Sequence, residues 1–183
     1  GLDPFNTIKA SSTASLGSWY IMKKRTVDYE DPNGDSIVAW YNGRKDIGHF
    51  RNTILGSLEE YRTTLLHEAA DDNLTQWFID QNKAYLLEDS QQLNKEITPT
   101  STGYNVKGMK PTINNQNFYK ELILQYIEED LPNGKKGLTR IPDIYLLEQL
   151  LMFDGDLGVC DAIVAFGHCL MHLHKDKRYI PRQ

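Results

Sequence analysis

The sequence predicts a single α/β domain, residues 1–183, with a mixed sheet covered by helices on both faces. Three observations lead to this class. Runs rich in aromatic and β-branched residues come first, and apolar residues at spacings of three and four dominate the second half. Between them, short apolar runs alternate with helical patterns, which is typical of strands joined by helical crossovers.

The first predicted elements are two strands. Residues 18–23 and 36–41 are short runs of aromatic and branched side chains. Residues 31–35 between them, with the sequence DPNGD, all favour turns. The two runs therefore predict an antiparallel pair.

Helices and strands then alternate along the chain. Residues 47–62 carry apolar side chains on one helical face, and residues 73–81 repeat this pattern over a shorter stretch. Short apolar runs at 63–68 and 84–87 predict two further strands, and the turn-rich residues 88–115 predict a long loop. Three more helices are predicted at residues 117–130, 143–153 and 159–174.

An early antiparallel pair followed by crossover units fits a ribonuclease H-like arrangement, with helices on both faces of a mixed central sheet. The tail, about residues 175–183, is basic and is expected to lie loose beside this fold. Cys160 and Cys169 lie too far apart along one predicted helix to form a disulfide, so two reduced thiols lining the core are expected.

Composition and charge restrict the class of protein. The formal net charge is −5, and no apolar run approaches the roughly 20 residues that a membrane span needs, so no membrane partner is expected. Domains that wrap duplex DNA are usually basic. If this domain acts on DNA, the charge predicts weak and strongly salt-sensitive binding.

Three carboxylates, Asp3, Glu68 and Asp161, stand at the edges of predicted elements. Loops converge at such edges of a sheet, and oxygen ligands suit magnesium and manganese. Two such ions can activate a water and stabilise the leaving 3′ oxygen of a phosphodiester. Each acid also has an ordinary interpretation, as a turn residue or as a charge at the start of a helix.

The predicted last helix adds one observation about Asp161. Ala162, Ala165 and Cys169 form a stripe of small residues beside the apolar stripe, with Asp161 at its border. Small residues allow a helix to approach a sheet closely. The pattern therefore favours an Asp161 that is carried against the strand ends.

Three stretches of the sequence resemble the C-terminal nuclease domain of phage terminase large subunits, and the resemblance covers most of the chain. Residues 1–17 resemble the segment of the first-strand aspartate. Residues 36–44 together with 65–73, LLHEAADDN, resemble the segment that ends in the second acid. Residues 146–171 resemble the closing region, where an acid precedes a helix of small residues.

The resemblance implies a metal-dependent endonuclease that cuts concatemeric viral DNA during packaging. Asp3, Glu68 and Asp161 would be its catalytic acids and would hold two Mg²⁺ or Mn²⁺ ions, with Asp154 and Asp156 as further candidates for the third ligand. The implied partners are double-stranded DNA, an ATPase motor domain and a portal, in the cytoplasm of an infected or prophage-carrying bacterium. No GxxxxGK[ST] phosphate loop occurs in the sequence, so the chain itself is not expected to hydrolyse ATP.

Alternatives stay open at several positions. The chain could be a catalytically degraded domain that docks in the packaging complex, or another ribonuclease H-like nuclease such as a resolvase. Lys107 and Lys110 are candidates for phosphate contacts or are ordinary solubilising charges. His168 and His172 have a spacing that can bind zinc, but no HExxH frame surrounds them, so a solvated helix face is expected.

Overall fold

The computed structural model describes residues 1–3, 16–24, 34–69, 73–89, 107–153 and 160–176. These residues form three strands and five α-helices, which confirms the predicted α/β class. The strands are β1 (Leu2–Asp3), β2 (Gly17–Lys23) and β3 (Ser36–Gly43). The helices are α1 (Ile47–Tyr61), α2 (Asn73–Asp80), α3 (Ile113–Glu128), α4 (Ile144–Met152) and α5 (Asp161–Asp176).

The three strands form an antiparallel sheet in the order β1-β2-β3. The β2–β3 ladder runs from Gly17 opposite Gly43 to Lys23 opposite Ser36, with one irregularity inside β2. Branched and aromatic side chains alternate between the two faces of this ladder. The predicted antiparallel pair is thus confirmed.

The predicted strand at residues 63–68 is an extended segment beside β1. Leu2 forms a parallel bridge with His67, and the Leu2 N–H donates to the Leu66 carbonyl at 3.1 Å. Within the described residues, one bridge rather than a continuous ladder connects the two. The hydrogen-bonded neighbours of β1 are therefore antiparallel on one side and parallel on the other.

The predicted strand at residues 84–87 is wrong over most of its length. Residues Ala84–Leu86 form a single 3₁₀ turn, and the Leu87 N–H bonds back to the Ala84 carbonyl at 3.1 Å. The chain leaves α2 through Asn82, which has a left-handed φ of 56°, and the local hydrogen bonds then hold a tight turn. Pairing begins only at Leu87, which forms a parallel bridge with Leu65.

The predicted loop 88–115 is structured at both described ends. Asp89 forms an antiparallel bridge with Lys107, and Met109 forms a parallel bridge with Glu68. Residues 90–106 lie outside the described part of the chain. Long-range pairing of this kind leaves no periodic pattern in a polar sequence, which is why the loop prediction missed it.

Helix α3 begins four residues earlier than predicted, at Ile113 instead of 117. The Thr112 side chain accepts a hydrogen bond from the Asn115 N–H at 3.3 Å and so satisfies one unpaired amide of the first turn. Helices α1, α2 and α4 differ from their predicted bounds by one residue at most.

Helices cover both faces of the sheet, as predicted. On one face, α1 and α2 pack against Leu2, Trp19 and Ile21. On the other face, α5 packs against β1 and β2, and α3 and α4 pack behind it. The α5 helix is consequently buried on all sides from residue 162 to residue 171, not along one stripe alone.

Two further expectations meet the structure directly. Cys160 and Cys169 are both buried and form no disulfide, as predicted. Cys160 immediately precedes α5, and Cys169 lies within it. Among the described residues, no helix combines the length and the apolar character needed to cross a membrane.

Candidate active site

The parallel bridge beside β1 sets Asp3 and Glu68 at the same level of the sheet. Leu2 lies opposite His67, and the Glu68 N–H donates to the Leu2 carbonyl at 3.3 Å. The next residue of each segment is Asp3 on β1 and Glu68 on its neighbour. Since residues opposite each other in adjacent strands share a face, positions 3 and 68 are neighbours at the carboxyl ends of two parallel segments.

Alternation along residues 65–68 shows which face Glu68 occupies. Leu65 belongs to the core formed with α1 and α2, whereas Leu66 belongs to the core formed with α5. Because side chains alternate between faces, Glu68 shares the α5 face with Leu66. Glu68 is half-buried there.

The same alternation applies to β1 and β2. Tyr20 packs edge-on against Phe166 of α5, with ring centroids 5.9 Å apart. Ser18, two residues earlier, is therefore also on the α5 face, and Ser18 pairs with Asp3. For Asp3 the structure describes the backbone, so its place in the site is given by this register.

Asp161 reaches the same edge of the sheet from the first turn of α5. Its Oδ2 accepts a hydrogen bond of 2.7 Å from the N–H of Leu16, the residue that immediately precedes β2. Antiparallel β2 begins at the edge where β1 ends. Positions 3, 68 and 161 are thus brought together at one end of the sheet, on its α5 face.

A side chain from α4 holds the first turn of α5. The Gln149 Oε1 accepts from the N–H groups of Ala162 at 3.0 Å and Ile163 at 3.3 Å, and its Nε2 donates to the Tyr145 hydroxyl at 2.9 Å. Burial, and then the negative charge of Asp161, raises the pKa of Tyr145. The sequence analysis missed Gln149, because a glutamine on an amphipathic helix carries no local signal of such a contact.

The backbone of α5 approaches β1 very closely. A methyl group added at Gly1 would overlap the Ala165 carbonyl and the Cys169 N–H. Ala162 and Ala165 are fully buried in the same contact region. The predicted stripe of small residues therefore does allow the close approach, and α5 begins beside the strand ends as expected.

Glu68 and Asp161 have carboxylates at this end of the sheet, and Asp3 would supply a third, which is the ligand chemistry that hard divalent cations take. The buried hydroxyl of Ser18, opposite position 3 in the ladder, has no hydrogen-bond partner among the described residues. Among the described side chains, no group of three or more His, Cys, Asp or Glu residues is arranged to hold a metal. The side chain of Asp3 is not among the described side chains.

Other predicted site residues have different surroundings. The Lys107 Nζ forms an ion pair with Asp89 at 2.7 Å and donates to the Leu87 carbonyl at 3.0 Å, so a phosphate contact would compete with both. Lys110 is exposed. The alternative ligands Asp154 and Asp156 lie outside the described residues.

The expectation of a solvated histidine face is wrong for His168. This side chain is buried, and its Nδ1–H donates to the Leu2 carbonyl at 3.2 Å. Burial lowers its pKa to about 3, so the ring is neutral near pH 7. His172 is half-buried beside Glu88, at 3.3 Å, and Thr64. The spacing of His168 and His172 predicted an exposed pair, because a helical pattern in the sequence does not show that other elements cover α5 on all sides.

Comparison of the chain with protein-family models, with curated proteins and with solved structures finds no match.

Proposed function

We propose that this chain is a metal-dependent DNA endonuclease domain of the terminase type, which hydrolyses phosphodiester bonds with two Mg²⁺ or Mn²⁺ ions. The observation that supports the proposal is that positions 3, 68 and 161 lie at one end of the sheet by the register of the strands and the hydrogen bond to Leu16. These residues come from three distant stretches of the sequence. Nothing in ordinary capping or turn formation requires them to meet.

The topology supports a ribonuclease H-like fold as part of the same proposal. An antiparallel meander of three strands is followed by helix α1, an extended segment parallel to β1, helix α2 and a further parallel bridge. This order matches the arrangement expected of two antiparallel strands followed by crossover units. In such layered α/β proteins, functional groups collect at the carboxyl ends of strands.

In the proposed mechanism, Asp3 and Asp161 would hold the cations, and Glu68 would ligate or orient the attacking water. When bound, two cations supply activation of the water and stabilisation of the leaving 3′ oxygen. The Leu16 N–H fixes one carboxylate oxygen of Asp161. Gln149 fixes the helix that carries this aspartate, which limits the movement of the carboxylate during the reaction.

The partners of the domain follow from the resemblance and from the charge. A domain with a net charge of −5 binds DNA weakly by itself, so we propose that an ATPase motor domain and a portal hold it on double-stranded DNA. Cutting of concatemeric DNA would then take place in the cytoplasm of the bacterial host.

The test is a nicking assay with supercoiled plasmid and Mn²⁺. The wild-type protein is expected to nick the plasmid, and a chelator is expected to stop it. Variants Asp3→Asn, Glu68→Gln and Asp161→Asn are expected to lose the activity while remaining folded by circular dichroism. Asp130→Asn is the matched control, because the Asp130 carboxylate is exposed and lies in a surface ion pair with Lys136.

Two results would overturn the proposal. Nicking that persists in all three variants would show that the acids are not the catalytic groups. Absence of nicking, together with absence of Mn²⁺ binding by titration, would instead favour a docking module in the packaging complex.

A further inference from the structure

Ser18 has a feature that the three acids leave unexplained. Its side chain is 0% exposed, and its Oγ has no hydrogen-bond partner in the part of the chain that the structure describes. Buried hydroxyl groups are nearly always paired, because removing them from water without a partner is unfavourable. An exception of this kind calls for a physical reason.

The position of Ser18 suggests that reason. Ser18 lies directly across the ladder from Asp3. Two residues earlier on the same chain, the Leu16 N–H holds the Asp161 carboxylate at 2.7 Å. Ser18 therefore lies on the α5 face of β2, opposite position 3 and two residues from the backbone group that holds Asp161.

Other unpaired buried polar atoms of the described residues lie elsewhere. The Trp19 Nε1 and the Tyr41 hydroxyl belong to a stacked pair, with ring centroids 6.2 Å apart, that packs on the α1 and α2 side. The unpaired His67 Nδ1 is also on that side, since the other ring nitrogen lies 3.1 Å from the Thr75 hydroxyl of α2. Ser18 differs from these groups because it lies on the α5 face of the sheet, opposite position 3 of β1.

We propose that Ser18 is a positioning residue of the metal centre, whose hydroxyl accepts a hydrogen bond from a water ligand of the cation held by Asp3 and Asp161. This inference rests on the proposed function. A hydroxyl in this place fixes the orientation of the water without adding charge. Outer partners of this kind typically change metal affinity or activity by about 10- to 100-fold when removed.

The test measures Mn²⁺ affinity by isothermal titration calorimetry in the wild type, Ser18→Ala and Tyr41→Phe. Ser18→Ala is expected to weaken Mn²⁺ binding by about 10-fold or more. Tyr41→Phe also removes an unpaired buried hydroxyl, but on the opposite face of the sheet, and is expected to leave the affinity within about twofold. Without metal, Ser18→Ala is expected to unfold at the same or a higher urea concentration, since it removes an unpaired polar group.

A second variant covers the case in which alanine disturbs the strand. Ser18→Cys keeps the size of the side chain and replaces the hydroxyl by a weakly hydrogen-bonding thiol, so it is expected to weaken Mn²⁺ binding as well. In nicking assays, both variants are expected to need more Mn²⁺ for half-maximal rate.

The outcomes separate this proposal from the proposed function. If Asp161→Asn loses Mn²⁺ but both Ser18 variants bind it as the wild type does, the role of Ser18 is refuted and the metal centre stands. If the wild type binds no Mn²⁺, the metal centre and the role of Ser18 fall together. Weaker binding in Tyr41→Phe and Ser18→Ala alike would indicate a general effect of core packing, and would overturn the specific role of Ser18.

Discussion

Helices α4 and α5 each start at an aspartate, but the two carboxylates have different surroundings. Asp143, before α4, is 5% exposed. Its Oδ2 accepts from the Tyr20 hydroxyl at 2.6 Å and the Asn42 Nδ2 at 2.7 Å, while its Oδ1 caps the helix through the Tyr145 N–H at 3.1 Å. These donors tie β2, β3 and α4 together, so Asp143 is a structural acid.

Asp161, in contrast, is half-buried and stands at the edge of the sheet with Asp3 and Glu68. In sequence the two aspartates look the same, since both begin an amphipathic helix. What distinguishes them is their place in the fold: Asp143 joins β2, β3 and α4 through its donors, whereas Asp161 accepts from the Leu16 N–H at the end of the sheet where positions 3 and 68 also lie. The comparison teaches that burial among donors marks a structural carboxylate, while carboxylates that meet, as the proposed metal centre requires, would need a compensating cation.

The largest expected effect separates the two aspartates by activity. Asp161→Asn is expected to lower the nicking rate by more than about 100-fold, because a direct ligand should matter more than an outer partner. Its urea midpoint is expected to stay near that of the wild type. If Asp161→Asn cuts DNA normally, the comparison between the two helix starts is broken.

The reverse pattern is expected at Asp143. Asp143→Ala leaves the Tyr20 hydroxyl and the Asn42 amide without their acceptor, and should lower the free energy of unfolding by ~3 kcal/mol. Urea denaturation measures this directly, with Asp130→Ala as a control at an exposed acid. A loss no larger than in the control would mean that the Asp143 cluster contributes little to stability.

Measurements of activity and stability at several pH values distinguish a loss of activity from a loss of folding. Burial lowers the pKa of His67 to about 4 and that of His168 to about 3, below the unfolded value of about 6.5. The unfolded chain therefore binds more protons, and the stability contributed by the neutral rings is complete above pH ~6.5 and is lost as the pH falls towards 4 and 3. Between pH 7 and pH 6, the two histidines together should reduce the free energy of unfolding by about 1.4 kcal/mol.

Urea midpoints at pH 7 and pH 6 check this expectation, and His168→Gln should roughly halve the difference. Equal midpoints at both pH values in the wild type would contradict it. Activity lost over this range with an unchanged midpoint would place the titrating group in the active site.

The smallest effect concerns a third helix that follows an aspartate. Asp46 caps α1 by accepting from the His49 N–H at 2.9 Å, and it is exposed. Asp46→Ala is expected to cost about 1 kcal/mol of stability and to leave nicking unchanged. A thermal or urea titration suffices, and a cost as large as that of Asp143→Ala would remove the distinction between a simple cap and a buried network.

Local patterns predicted most of the fold. The antiparallel pair and helices α1, α2 and α4 follow from alternation, apolar spacing and turn residues that act within a few positions. The errors fall where the structure depends on distant partners. Residues 84–87 pair only at Leu87, and residues 107–109 join the sheet region across a long polar stretch.

The same contrast between local patterns and distant contacts holds for the candidate site. Asp3, Glu68 and Asp161 could be named from the resemblance, but their meeting depends on the register of Leu2 with His67, which no spacing in the sequence reveals. Ser18 and Gln149 carried no signal at all. Each of these two residues contacts an element that is distant from it in the sequence, and that contact becomes visible only in the folded structure.

The close contact between Gly1 and α5 has a consequence for mutational screens. Residues Ala165 and Cys169 meet β1 one and two turns along the helix that starts at Asp161, about 6 and 12 Å away along its axis. A buried helix shifts as a rod, and catalytic groups tolerate displacements of only about 0.5 Å. Inactive variants should therefore map along the whole buried length of α5, and graded substitutions there would tune activity without touching any ligand.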